Sequence, residues 1–396
     1  MHQGDVCVVG DGIIGKTAAL AFAQAGLQVT LLAPAAGAKP APGDAWDVRV
    51  YAINHVAQAL LSSLKVWDAL DLSRVAAVDA MEVKGDGAQA PGALTFDAYG
   101  ARVGTLAWIA EDRNLNAALD AALRFATNVR IVHGRADELQ AHATGAEIRL
   151  DNGEHVCAAL AVGADGGQSW LRAQCDIGID YRPYGQRAIV TNFACEQSHR
   201  GTACQWFSAA EGIIALLPLP GQRVSLVWSA PDALAEILLR ETAAQLAARV
   251  TVVSEHRFGA LAPLQPESVR SFPLALIRPH ALTAPRVALI GDAAHVVHPL
   301  AGHGMNLGFA DVAALVRAIG ERGPHRDCGD ARVLSRYARA RKEDILLMQL
   351  ATDGLARLFG ADLEPVRVIR NLGLNLVDRL PGLKRRLIGH ALGKPL

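Results

Sequence analysis

Val6-Cys7-Val8-Val9-Gly10-Asp11-Gly12-Ile13-Ile14-Gly15-Lys16-Thr17 is the stretch that decides the fold. A short apolar run reads as a buried strand, glycines spaced GxGxxG follow it, and the segment to Gln24 reads as a helix. A second apolar run at 29–32 completes a strand–turn–helix–strand unit of a parallel α/β sheet. Each glycine has a separate physical task. Gly10 permits the tight turn, Gly12 lets the backbone approach a pyrophosphate, and Gly15 lets helix and strand pack closely. With Ile13 and Ile14 opening the helix, its free amides and positive end face the phosphates of a dinucleotide. One element of the pattern departs: the second strand ends in Ala33, where an acid usually holds the ribose hydroxyls. Asp44 and Asp47 in the following loop are the nearest substitutes.

Outward from that unit, 396 residues exceed what one core accommodates, so more than one domain is expected. Lys plus Arg and Asp plus Glu both number 39, which removes the basic field a nucleic-acid binder needs. The cysteines are scattered without a CxxC pair, and residues 1–5 lack the basic-then-apolar layout of a signal peptide, so a cytoplasmic setting is expected. No apolar stretch reaches the roughly 18 residues that span a bilayer, so any membrane contact is peripheral, on the inner face.

Helical patterns return at 56–64 and 113–125, with short alternating runs between 81 and 103 that read as hairpins. After residue 179 the runs at 188–193, 204–207, 213–217 and 224–228 are strand-like, and 232–250 reads as one helix. An apolar run at 286–290 then leads into Gly291-Asp292, and the rest is mostly helical. The expected fold class is α/β: a Rossmann-like nucleotide domain with an inserted, mostly antiparallel β-sheet domain and a helical C-terminus. The expected boundaries are 1–75, 100–178 and 280–355 for the first, 76–99 and 179–279 for the second, and 356–396 for the tail.

Further segments carry a family resemblance. Val162-Gly163-Ala164-Asp165-Gly166-Gly167-Gln168-Ser169-Trp170-Leu171-Arg172 resembles the GADGxxSxxR segment of FAD-dependent aromatic hydroxylases of the p-hydroxybenzoate hydroxylase type. Gly291-Asp292-Ala293-Ala294-His295, with Pro299-Leu300-Ala301-Gly302-His303-Gly304-Met305-Asn306-Leu307-Gly308, is similar to their second FAD segment. Within that group, Asp47 to Ile53, Gln205-Trp206-Phe207, Ala215 to Leu219 and residues 369–374 are most similar to the ubiquinone-biosynthesis hydroxylases.

The resemblance implies an FAD monooxygenase that takes hydride transiently from NAD(P)H. Through a flavin hydroperoxide it places one oxygen of O₂ on an aromatic ring, a polyprenylated phenol or quinol precursor of ubiquinone. It implies cofactor contacts at Gly10, Gly12, Ile13, Ile14, Gly15, Arg49, Arg113, Asp165, Gly291, Asp292, Gly302, Gly304, Met305 and Asn306. Pro299 is expected to wall one flavin face. His303 stands where the family has Gln, and an imidazole there changes charge near neutral pH. Gln205 and Phe207 share one strand face by alternation and are the candidates for the substrate side.

Competing readings are weaker on the residues. Asp292, His295, His298 and His303 have ligand chemistry, but Pro299 and the glycines at 302 and 304 break the helical face that would align them, so no metal is expected. No GxSxG elbow marks a hydrolase. A structural subunit of a ubiquinone-biosynthesis assembly, holding or lacking FAD, and a flavin dehydrogenase or oxidase are the alternatives. In the tail, Val366, Ile369, Leu372, Gly373, Leu376 and Leu380 share a face, with Lys384-Arg385-Arg386 beyond. That face suits the protein's own core, an anionic membrane, or another ubiquinone-biosynthesis protein.

Overall fold

The computed structural model describes residues 2–34, 45–86, 92–265, 269–360, 370–372, 374–376 and 378, with backbone only for His2, Gln3, Ala301 and His303. Among these, a first sheet of eight strands has His155–Gly163, His2–Val9, Val29–Ala33 and Val129–His133 side by side, with Val287–Leu289 outside His155–Gly163. These pair in parallel. Their runs are apolar on both faces because both are covered: helices close over Val6, Val8, Leu160, Val162 and Ala288, all fully buried, while strands Ala136–Ala141 and Ala146–Leu150 and helix Trp170–Gln174 pack with Cys7, Ala161 and Leu289 on the other. Helices Ile13–Gln24, Asp112–Leu123 and His303–Gly320 share the core on one side.

A second sheet of eight strands is built around the long strand Ile179–Cys195, which pairs antiparallel with Arg223–Pro231 and Arg270–Pro279. Alternation gives it two faces. Phe193, Trp206, Ile214, Leu226 and Trp228 point to a core closed by helices Asp232–Leu238 and Ala243–Val253. Gln205 and Phe207 belong to the opposite, inner face. The single helix expected over 232–250 is two helices. Thr242 accepts a hydrogen bond from the Gln245 amide while the Gln245 side chain reaches back to the Thr242 amide, and this capping box starts a new helix.

The runs between 81 and 103 include the antiparallel hairpin Ala80–Lys84 and Ala93–Asp97, which joins the second sheet through Thr202–Ser208. A separate three-stranded sheet of Val50–Ile53, Ala107–Glu111 and Val75–Val78 was not foreseen. No described helix is long and apolar enough to cross a membrane.

Candidate functional site

The parallel strands end level with one another: Val9 lies opposite Leu32 and Gly163, and Gly163 opposite Leu289. The chain leaves those ends through Gly10–Gly15, Ala164–Gly166 and Gly291-Asp292, so segments distant in sequence meet at one sheet edge, where open α/β sheets bind ligands. They line a cleft of about 1200 Å³. That exceeds the roughly 300–1,000 Å³ of a drug-sized pocket and suits an extended dinucleotide.

The turn behaves as its glycines require. A Cβ on Gly15 would stand 1.9 Å from the Gly10 carbonyl oxygen, so no side chain fits there. A Cβ on Gly12 would meet nothing within 4 Å, because Gly12 faces the open cleft. Gly12 caps the first helix without any side-chain cap, and Gly302 does the same for helix His303–Gly320. Gly304 and Met305, in that helix's first turn, line the same cleft. The two helices touch closely, since a Cβ on Gly308 would lie 2.8 Å from Ile14. Two uncapped helix N-termini therefore aim unpaired amides and partial positive charge at one space. Arg49, stacked over Phe272 at 4.6 Å, and Arg113, which also donates to the Ala45 carbonyl, add full positive charge. This donor set fits the phosphates of FAD and the electron-rich edge of its ring.

Of the residues expected at the cofactor, Gly12, Ile13, Ile14, Arg49, Arg113, Gly291, Asp292, Gly304 and Met305 line the cleft. Gly10 and Gly15 shape it from behind. Asp165 does not turn toward it: its carboxylate accepts from Ser169 Oγ at 2.6 Å and the Leu171 amide at 3.0 Å, bracing the turn that presents Ala164 and Gly166. Asn306 is likewise spent on backbone, accepting from the Asn54 amide at 3.0 Å and donating to the Ala52 carbonyl at 2.7 Å. It ties helix His303–Gly320 to the strand Val50–Ile53. Gly302 packs on Ala52 from outside the cleft lining. Pro299 is half-buried in the segment just before that helix. The His303 side chain lies outside the described residues, as do Asp44 and most of the tail.

Gln205 and Phe207 are buried away from the cleft lining, and Phe207 packs on Phe359 and Leu300. Asp47 lines the cleft, yet its carboxylate accepts from the amides of Arg49 at 3.0 Å and Arg113 at 3.2 Å. Those bonds tie residues 47–49 to the start of helix Asp112–Leu123. Gly10 to Thr17 also spells the phosphate-loop pattern GxxxxGK[ST]. The structure does not use it so: Lys16 pairs with Asp120 at 2.7 Å, and Thr17 donates to the Ile13 carbonyl at 2.7 Å.

The sequence reading missed the group that fixes the Gly291-Asp292 turn. Asp311, fully buried, accepts from His295 Nε2 at 2.6 Å, Arg341 Nε at 2.7 Å and the Gly291 amide at 2.9 Å. Burial alone would raise the Asp311 carboxyl, but His295 and Arg341 outweigh it and hold it below the usual carboxylate range. Asp292 touches cleft solvent but is crowded by protein on its other sides. Burial raises its carboxyl, with His295 opposing and Asp311 adding, and contact with cleft water limits the rise. Glu111, also fully buried, takes a bidentate bond from Arg74 at 2.6 and 2.9 Å and holds the Asp47 amide at 2.5 Å. His298, pushed down to about 4 by burial, is neutral and donates from Nε2 to Gln186 at 2.9 Å. His295 and His298 are thus tied to protein partners.

Comparison with known proteins agrees with this geometry. The family model described as FAD binding domain matches residues 3–345. The chain is 37% identical to the ubiquinone hydroxylase UbiL of Rhodospirillum rubrum, over 98% of this chain and 89% of that one. It is 35% identical to the 3-demethoxyubiquinol 3-hydroxylase of Escherichia coli, over 98% of each. Among solved structures, p-nitrophenol 4-monooxygenase PnpA of Pseudomonas putida superposes with a TM-score of 0.78 at 18% identity, covering 100% of both chains. HpxO of Klebsiella pneumoniae, complexed with FAD and uric acid, gives 0.76 at 17% identity, covering 98% of this chain and 96% of that one. Strand order, cleft and likeness agree: the chain belongs to the FAD-binding monooxygenases, among the ubiquinone-biosynthesis hydroxylases.

Proposed function

We propose that the chain hydroxylates the aromatic ring of a polyprenylated phenol or quinol on the route to ubiquinone, with NAD(P)H as a visiting reductant. The observation that carries this is the pair of uncapped helix N-termini converging on one cleft beside the inner face of the second sheet. Bound in the cleft, FAD supplies the redox and oxygen-activating chemistry.

The chain's own residues supply position, charge and dryness. Gly12 and the first-turn amides of helix Ile13–Gln24 hold the pyrophosphate, with Arg49 and Arg113 neutralising it. Gly304 and Met305 present the second helix end to the ring system, where partial positive charge stabilises electron density by roughly 0.3–2 kcal/mol. The register supports a substrate position on the inner face: Gln205 is opposite Ala215, Ala215 opposite Val227, and Val227 opposite Val190, a row with little bulk at its centre. Leu300 packs with Phe207 and Ile213 in the neighbouring row, so Pro299 and its neighbours wall the space on one side. Gln205 offers a polar contact in an otherwise apolar enclosure that excludes water. These assignments of Gln205, Phe207, Pro299 and His303 to the reaction are our reading.

The deciding experiment is deletion in the native host, followed by mass analysis of the quinone intermediate that accumulates. An intermediate short of one ring hydroxyl supports the reading and names the step. Unchanged ubiquinone refutes it. A subunit without chemistry of its own, holding or lacking FAD, the reading that Ala33 and His303 favour, would instead give a purified protein that forms no hydroxylated product, and a colourless one that takes up no added FAD where the cofactor is lost.

A further inference from the structure

Pro299 has no amide hydrogen, and its carbonyl accepts from the Gly302 amide at 3.3 Å, a long contact within its own turn. Its place is therefore set by its neighbours. Segment 296–300 enters at the edge of the second sheet and crosses its inner face, anchored strand by strand. Val296 exchanges two backbone hydrogen bonds with Ile277 of strand Arg270–Pro279, at 3.0 and 3.2 Å. His298 bonds Gln186 of strand Ile179–Cys195 at 2.9 Å. Leu300 packs on Ile213 of strand Gly212–Leu219 and on Phe207 of strand Thr202–Ser208. In sheet order Arg223–Pro231 lies between Ile179–Cys195 and Gly212–Leu219, so the chain passes over it at Pro299. By alternation along a regular ladder, Gln186 shares the inner face with Val190, which belongs to the row that carries Gln205.

The first anchor is backbone and the third is packing. The middle one is a single side-chain hydrogen bond. The His298 side chain is wholly buried, and its ring meets the Tyr184 ring edge-on at 4.9 Å. Burial keeps it neutral, with one N–H, and the bond to Gln186 Oε1 places that hydrogen on Nε2. Nδ1 is then a buried acceptor without a partner. A leucine would fill this volume and leave no polar atom unmet. What the imidazole adds is a bond of defined length and direction between the segment and the sheet, one residue before Pro299.

We infer that His298, through its bond to Gln186, is a positioning residue that fixes Pro299 beside the flavin and ring space. It thereby sets the share of NAD(P)H oxidation that ends in ring hydroxylation. It acts through Pro299 and not on the reacting atoms. When the wall shifts, water enters, and the hydride of NAD(P)H with one further proton leaves on O₂ as hydrogen peroxide, the ring unchanged. The inference rests on the reading of Pro299 as a wall of that space.

The test compares the full-length, FAD-loaded wild type with Gln186→Leu/His298→Leu, His298→Gln and Pro299→Gly. Replacing both bond partners by apolar groups orphans neither, so the double leucine variant should keep the melting temperature and FAD affinity of wild type. Its product yield per NAD(P)H should fall by roughly threefold to a hundredfold, with the difference recovered as hydrogen peroxide, as a wall displaced from the reacting centre predicts. The visible circular dichroism of its bound flavin should also change, a readout that needs no turnover. His298→Gln keeps an N–H donor for Gln186 and should stay close to wild type in both. A double variant that matches wild type in both readouts overturns the inference. So does His298→Gln behaving like the double variant, or a double variant that does not fold, because the pair then holds the fold and not the wall. Pro299→Gly separates the two readings. If it matches wild type, the wall reading fails and takes the inference with it; if it shifts both readouts while the double variant shifts neither, the wall stands and His298 does not position it.

Discussion

Asp311→Asn removes one charge and almost no volume from the centre of the His295–Asp311–Arg341 group. Arg341, whose side chain is only 5% exposed, then keeps the largely exposed Asp344 carboxylate and the Leu307 carbonyl as partners. The Gly291 amide faces a weaker acceptor. Breaking a buried pair by removing one partner costs about 3–5 kcal/mol. At about 2 °C per kcal/mol for a chain of this size, the melting temperature should fall by about 6–10 °C.

The pH dependence has a definite sign. Because the folded carboxyl is held below its unfolded value of about 3.9, its stabilisation is full above that value and is lost as pH falls through the folded pKa. The gap between wild type and variant should therefore be constant at neutral pH and close below about pH 4. The assay is thermal unfolding by circular dichroism at stepped pH, with flavin fluorescence followed in parallel. The variant should also release FAD more readily, since the Gly291-Asp292 turn loses its anchor. A gap that widens on acidification, or a variant as stable as wild type at neutral pH, would refute the role given to Asp311.

Gly15→Ala should prevent folding, because its Cβ would collide with the Gly10 carbonyl. Gly12→Ala has free space, so it should leave apoprotein melting within about 1 °C, given its near-neutral local cost, yet weaken FAD in a fluorescence titration. Arg49→Ala should weaken FAD by roughly tenfold to 150-fold, the range for one charge-assisted contact, without changing the fold. Gln205→Leu should retain FAD and raise KM for the ring substrate by about two- to tenfold, the worth of one neutral hydrogen bond. An unchanged KM would remove Gln205 from the substrate side.

What the sequence made legible was whatever is locally constrained. The roles of Gly10, Gly12 and Gly15 follow from turn geometry within a few residues, and the structure shows two of them closed to any side chain and one open to the cleft. The meeting of residues 10–15, 164–166 and 291–292 was legible through motif resemblance and is explained by strand register. Asp311 and Arg341 were not legible, because a buried acid and a buried arginine thirty residues apart on two helices look like ordinary polar positions in each helical pattern. Asp165 and Asn306 were expected at the cofactor on motif grounds; Asp165 instead bonds Ser169 and the Leu171 amide of its own turn, and Asn306 bonds the backbone of Asn54 and Ala52, partners too distant in sequence for any local pattern to show. Along the tail, periodicity marked an apolar face without saying which way it points. At its described members Leu372 and Leu376, the bonds of the neighbouring Asn375 and Asp378 to the edge strand Ala93–Asp97 leave the side chains facing outward.

The most direct test of the central claim is oxygen labelling. Purified, FAD-reconstituted protein is given NAD(P)H, a prenylated phenol and labelled O₂, and the product is weighed by mass spectrometry. The account predicts a ring hydroxyl carrying one labelled atom from O₂. An unlabelled hydroxyl, label taken from water, or oxidation without oxygen insertion would contradict it.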